Sequence, residues 1–187
     1  LERIVILHNR LINNSNNFSD SEWLFDFLNL IGCCVSIVDI SLNQLYIKAE
    51  YDPLKNWSFN KELLGERHNR RIKDKLEWVK HITGKPLDDI ETEFKSFNTL
   101  REIRNHTQHF DPPCFGFTLE EIASWMNMVR DIGSLVYKIR QKINSSLNEN
   151  LIEIMLLPDV QFNGIVLFDR ERAPHIDIGY NTTCWPK

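Results

Sequence analysis

A chain of 187 residues has room for one domain with a full core, or one domain with a small appendage, and excludes two large domains. Its 42% hydrophobic and 26% charged residues exclude a wholly disordered chain. A formal net charge of -4 excludes a global electrostatic pull onto nucleic acid, so any RNA contact must use a local basic patch. Seven Gly and seven Pro leave long uninterrupted stretches suited to helices. Four cysteines without a CxxC pair read as free thiols of a reducing compartment, and no basic segment followed by an apolar stretch opens the chain, so a cytoplasmic protein is expected.

Residues 23–47 form the first element, an apolar run dominated by Leu, Phe, Ile, Val and Cys. Its length raises the question of a membrane span. Glu22, Asp26, Asn29, Ser36, Asp39 and Asn43 recur at steps of three, four or seven, which draws one narrow polar stripe along a long helix. Two Asp would be costly in hydrocarbon, so the expectation is no membrane, and a central bundle helix or one shared with a partner subunit. Ser19 or Asp20 can cap its start, and Cys33 and Cys34 read as packing residues.

After Asp52-Pro53, residues 61–81 carry more basic than acidic side chains, with Leu76, Val79 and Ile82 as a thin apolar edge, and read as one or two solvated helices. Gly84-Lys85-Pro86 breaks the chain. Asp88 with Glu91 forms a capping-box pattern for the next helix, whose apolar stripe runs Leu87, Ile90, Phe94, Phe97 and which must end ahead of Pro112-Pro113. Thr118 with Glu121 opens another, periodic from Ile122 to Ile143. Beyond Ser145-Ser146, the short apolar runs 151–157 and 160–168 predict two strands, and 175–180 a third. The fold expected is all-α, a helical bundle over residues 1–146, with a small β-rich extension over 147–187 packed on it.

The stripe of the Phe94 helix carries the candidate chemistry. Continued past Phe97 it meets Arg101, Arg104, Asn105 and Gln108, with His109 near its edge. Arg and amide side chains are costly to bury unless paired or open to a cavity, so this patch is either a hydrogen-bonded network or the floor of a site. Arg and His together suit a phosphodiester: guanidinium offers phosphate a permanently charged planar fork, and imidazole moves a proton near neutral pH. His106 and His109 stand at a spacing usable for metal, but no third ligand is evident, and neither metal nor cofactor is expected.

The segment Arg104-Asn105-His106-Thr107-Gln108-His109, preceded by Leu100-Arg101-Glu102-Ile103, resembles the HEPN superfamily, whose motif is Arg, a polar residue commonly Asn, three variable residues and His on a late helix of a short four-helix bundle. The likeness covers roughly residues 18–145. It implies an up-and-down HEPN-like bundle and a metal-independent endoribonuclease of defence or toxin type, acting as a homodimer with two motifs across a shared cleft. It further implies that His109 is the general base or acid, that Arg104 stabilises charge on phosphorus, and that Asn105 orients both, with RNA as the partner. Arg101 and Gln108, which continue the same stripe, are the expected substrate-binding residues. A cognate antitoxin or regulatory protein is a further expected partner. The alternatives are a catalytically silent helical module that binds a nucleotide or protein, and a structural dimer built on the long apolar helix.

Overall fold

A computed structural model describes residues 1–15, 21–108, 118–143 and 148–162. Seven α-helices follow in chain order within them: α1 (Glu2–Asn13), α2 (Ser21–Tyr51), α3 (Lys61–Leu64), α4 (Ile72–Thr83), α5 (Glu91–Gln108), α6 (Leu119–Lys142) and α7 (Glu149–Met155), with a short 3-10 turn at Arg67–Asn69 between α3 and α4. The described chain is all-α, and no strand occurs among its residues.

The apolar run predicted as a long helix is α2, the axis of the fold. It packs against α1, α4, α5 and α6 and buries Phe27, Leu30, Ile31, Cys34, Val38, Leu42 and Leu45 completely. Burying seven such side chains at about 1.5–3 kcal/mol each makes this face a large source of cohesion. Among the described residues α2 is the one helix long and apolar enough to cross a membrane. Its fully buried side chains meet other helices. The outward face carries Glu22, Asn29 and Ser36 of the polar stripe, but also Phe25, Ile40, Ile47 and Tyr51. Burial pushes the Cys34 thiol up, away from the reactive thiolate.

The junction of α2 and α4 contains a buried cation. Lys75 reaches from α4 to Asp39 Oδ1 at 2.7 Å and Asn43 Oδ1 at 3.1 Å, with its ammonium 5.7 Å from the Trp78 ring centroid. Trp78 is fully buried and donates its indole N–H to the Leu64 carbonyl at 3.0 Å, tying α3 to α4. Asp39→Ala would leave the ammonium with amide and ring partners alone. Because the Asp39 side chain is 43% exposed, water screens the pair, and the expected loss is about 1–2 kcal/mol. Lys75→Met, which removes the charge and keeps the stem, should cost less; urea unfolding of the two variants checks the order.

Helices α5 and α6 run antiparallel, since contacts pair early α5 with late α6: Asp88 with Lys142, Glu93 with Lys138 and Ser134, Ser96 with Asp131. The capping box expected for α6 is present, with Thr118 Oγ1 accepting from Glu121 N–H at 3.1 Å and Glu121 Oε2 accepting from Thr118 N–H at 2.8 Å. The one expected for α5 is not. Asp88 turns to Lys142, Asp89 takes φ 53, and the helix begins only at Glu91.

The strand predicted over residues 151–157 is corrected: Glu149–Met155 is helix α7. Asn148 caps it, accepting from Asn150 N–H, and Leu151 and Ile154, three apart, are buried, whereas Ile152 is half-exposed. A short run rich in Leu and Ile carries too little periodicity to separate strand from helix, and the docking site on α6 decides. That site is Gly133. A Cβ there would stand 2.8 Å from Ile154 and 3.1 Å from Met155, so only glycine admits α7 this close. Val160 and Phe162, at the start of the second predicted strand, are not in a ladder. The Asn127 side chain satisfies both the N–H and the carbonyl of Val160, at 2.8 and 3.0 Å. The remainder of that run and the run 175–180 lie outside the described residues.

Candidate functional site

Of the predicted site residues, Arg101, Arg104, Asn105 and Gln108 fall on the last two turns of α5. The register differs from the expected one. From Phe97 the buried stripe continues through Leu100 and Ile103, both fully buried, rather than through Arg101 and Arg104. Steps of three and of four from Phe97 both lie on one side of a helix. Contact with α2 and α6 selects the first, and Arg101, Arg104 and Asn105 flank the core as half-buried residues.

These three share one flank, since Arg104 and Asn105 lie three and four residues beyond Arg101. The structure joins two of them directly: Asn105 Oδ1 accepts from Arg104 Nη2 at 2.9 Å and from Nε at 3.3 Å. One carboxamide oxygen therefore orients the planar fork. Arg101 Nε is buried and has no hydrogen-bond partner among the described residues. Two guanidinium groups three apart on one helix repel each other, and such a flank is relieved by an anion laid across it. Gln108 is the last helical residue, its side chain outside what is described, and His109 lies outside the described residues.

What holds this flank in place is a polar network that the sequence reading missed. Glu93 and Ser96, one to two turns before Arg101, are buried. Glu93 Oε1 accepts from Ser134 Oγ at 2.8 Å and pairs with Lys138 Nζ at 2.5 Å; Ser96 Oγ donates to Asp131 Oδ2 at 2.5 Å. Lys138 also donates to the Asp89 carbonyl. Burial works against the Glu93 charge, but hydrogen bonds from Lys138, from its own backbone and from Ser134 outweigh it and hold the carboxyl below the usual range. With every member partnered, the network locks the height of α5 against α6 and so the position of the flank. The sequence shows the two rows, Asp131, Ser134 and Lys138 at steps of three and four on α6 and Glu93 and Ser96 at a step of three on α5, but not that they meet.

Among the described residues no three His, Cys, Asp or Glu side chains converge to hold a metal ion. No protein family, curated protein or solved structure matches the chain.

Proposed function

We propose that this chain is a HEPN-like, metal-independent endoribonuclease that works in the cytoplasm as a homodimer, with the active site at the end of α5. The observation that supports it is the Arg101, Arg104 and Asn105 flank, two guanidinium groups and an orienting carboxamide placed directly ahead of His109. In this reading His109 removes the proton from a ribose 2′-hydroxyl, and the resulting alkoxide attacks the adjacent phosphorus. Arg104 stabilises the negative charge that develops there, and the 5′-oxygen leaves with a proton supplied by an imidazolium. The products are a 2′,3′-cyclic phosphate and a 5′-hydroxyl. Arg101 and Gln108 hold the flanking phosphate and sugar. A defence or toxin role, with a cognate antitoxin or regulator, follows from the resemblance.

A second reading is favoured by one contact. Both Nε and Nη2 of Arg104 already engage Asn105, as they would in a silent module whose arginine is structural and whose surface binds a nucleotide or protein. Incubating labelled RNA with the purified chain in EDTA separates the two: cleavage with cyclic-phosphate ends supports the nuclease, and intact RNA beside a folded protein supports the module.

A further inference from the structure

We infer that the corner joining α3 to α4 is a second RNA-contacting surface, on which Arg67, Arg70, Arg71 and Lys73 follow the phosphate backbone and His68 adds a hydrogen-bond donor. The choice of RNA rests on the nuclease reading above, whereas the surface itself rests on charge and packing. The whole chain carries 22 Lys and Arg against 26 Asp and Glu, yet residues 67–73 hold four cations and no carboxylate. His68, Arg70, Arg71 and Lys73 are exposed and Arg67 is half-buried. The carboxylates that flank the stretch are engaged, Glu66 by Lys61 at 3.2 Å and Asp74 by Arg71 at 3.2 Å. That second pair is exposed and weak, so a phosphate can exchange for it. Among the described residues no carboxylate pairs with Arg67, Arg70 or Lys73.

Packing fixes two of these side chains. Arg70 lays its guanidinium back on Gly65, where a Cβ would overlap Nε and Nη2, and the Gly65 carbonyl accepts from the Tyr46 hydroxyl of α2 at 2.9 Å. Arg67 Nη2 donates to His68 Nε2 at 2.9 Å; a guanidinium can only donate, so the imidazole proton sits on Nδ1, a donor for an anionic oxygen. The cations also stand where they cost stability. Arg71 precedes α4 without a side-chain cap and Lys73 lies in its first turn, so their charges oppose the positive end of the helix as well as one another. An anionic chain laid over the corner relieves both repulsions. RNA fits better than an acidic protein, because between Arg67 and Lys73 no large apolar side chain is exposed to form the dry centre of a protein interface, whereas nucleic-acid interfaces are polar and cationic. Three of the four cations are arginine, whose fork grips phosphate at two points.

The probe is a fluorescein-labelled single-stranded 2′-O-methyl RNA, which has no 2′-hydroxyl to react, titrated by anisotropy in EDTA from about 50 to 300 mM KCl. Arg67→Gln, Arg70→Gln and Lys73→Gln together are expected to weaken binding on the order of 100-fold at the lowest salt, and to flatten the slope of log affinity against log salt by about 2, at about 0.7 per phosphate contact. Lys55→Gln, Lys85→Gln and Lys95→Gln together remove the same charge from exposed positions elsewhere and should leave affinity and slope nearly unchanged. Arg67→Gln with Lys73→Gln keeps Arg70 on Gly65 and should give about two-thirds of the slope change, with unfolding in urea at no lower concentration than the wild type. Equal losses in the two triple variants, an unchanged slope in the corner variants, a wild-type chain that does not bind, or corner variants that lose phosphatidylglycerol vesicles but keep RNA each overturns the inference. With cleavable RNA in place of the probe, intact RNA beside corner-dependent binding sinks the nuclease reading only, and cleavage with the same kcat/KM in the corner variants at low salt sinks this one only.

Discussion

Replacement of His109 by alanine is expected to lower kcat/KM for RNA cleavage about 10³-fold, and replacement of Arg104 by alanine about 10²- to 10³-fold, with the residual products unchanged in kind. The first figure is what proton transfer by a positioned imidazole contributes, and the second what one oriented donor to a developing anion contributes. Arg104→Lys should recover part of the loss, since it keeps the charge, but not all of it. An ammonium cannot use the two-point grip of the Asn105 oxygen on Nε and Nη2. Asn105→Ala acts through the same grip as a positioning change, and is expected to cost about tenfold with a larger effect on kcat than on KM. The checking measurement is single-turnover cleavage of labelled RNA in EDTA, with product ends identified by mass. Cleavage that persists undiminished in His109→Ala would remove that residue from the chemistry, whatever becomes of the rest.

The second large effect is on stability and follows from His8. The ring is fully buried on α1, and neither nitrogen has a hydrogen-bond partner in the described structure. Its pKa is lowered from 6.5 to about 4, first by burial and then by the charge of Arg130 on α6, a residue held by Asp159 and by the Leu157 carbonyl. The Met126 backbone favours the charged ring but falls short of a hydrogen bond, so it offsets little. The neutral ring is the folded form. As pH falls below 6.5 the unfolded chain takes up a proton that the folded chain refuses, and stability declines until about pH 4, below which both states are protonated. The span corresponds to a loss of about 3 kcal/mol. His8→Leu should abolish this part of the acid loss and, by removing two unsatisfied nitrogens, add about 1 kcal/mol at pH 7. Urea unfolding of both proteins from pH 7.5 to 4 makes the comparison. Parallel curves through that window would show that His8 charges as readily in the fold as outside it. The site where it acts is the packing of α1 on α2 and α7, beside Arg130 of α6, so acid is expected to loosen that end of the bundle first.

Much of this architecture was legible in the residues themselves. The long α2, the proline and glycine breaks and the Thr118 to Glu121 capping box are local features, in which a period of 3.6 or a cap three residues away suffices. Gly84, in the left-handed conformation at the end of α4, belongs with them. That Arg101, Arg104, Asn105 and Gln108 lie on one helix was legible too, and that helix is α5.

Three things needed the folded chain. Whether α5 would bury Leu100 and Ile103 or Arg101 and Arg104 was undetermined, since both sets continue the Phe97 stripe and only the positions of α2 and α6 distinguish them. The Glu93, Ser96, Asp131, Ser134 and Lys138 network joins residues more than thirty positions apart, and no local signal says that two polar rows will meet. The run 151–157 has β-branched and apolar residues enough for a strand, yet becomes a helix where Gly133 leaves space for one. Local periodicity and capping thus determined that the segments of α2, α4, α5 and α6 are helices, but not α1 or α7. Which face each turns inward, and what polar groups that brings together, was decided by packing, because burial free energy depends on partners that sequence spacing cannot supply.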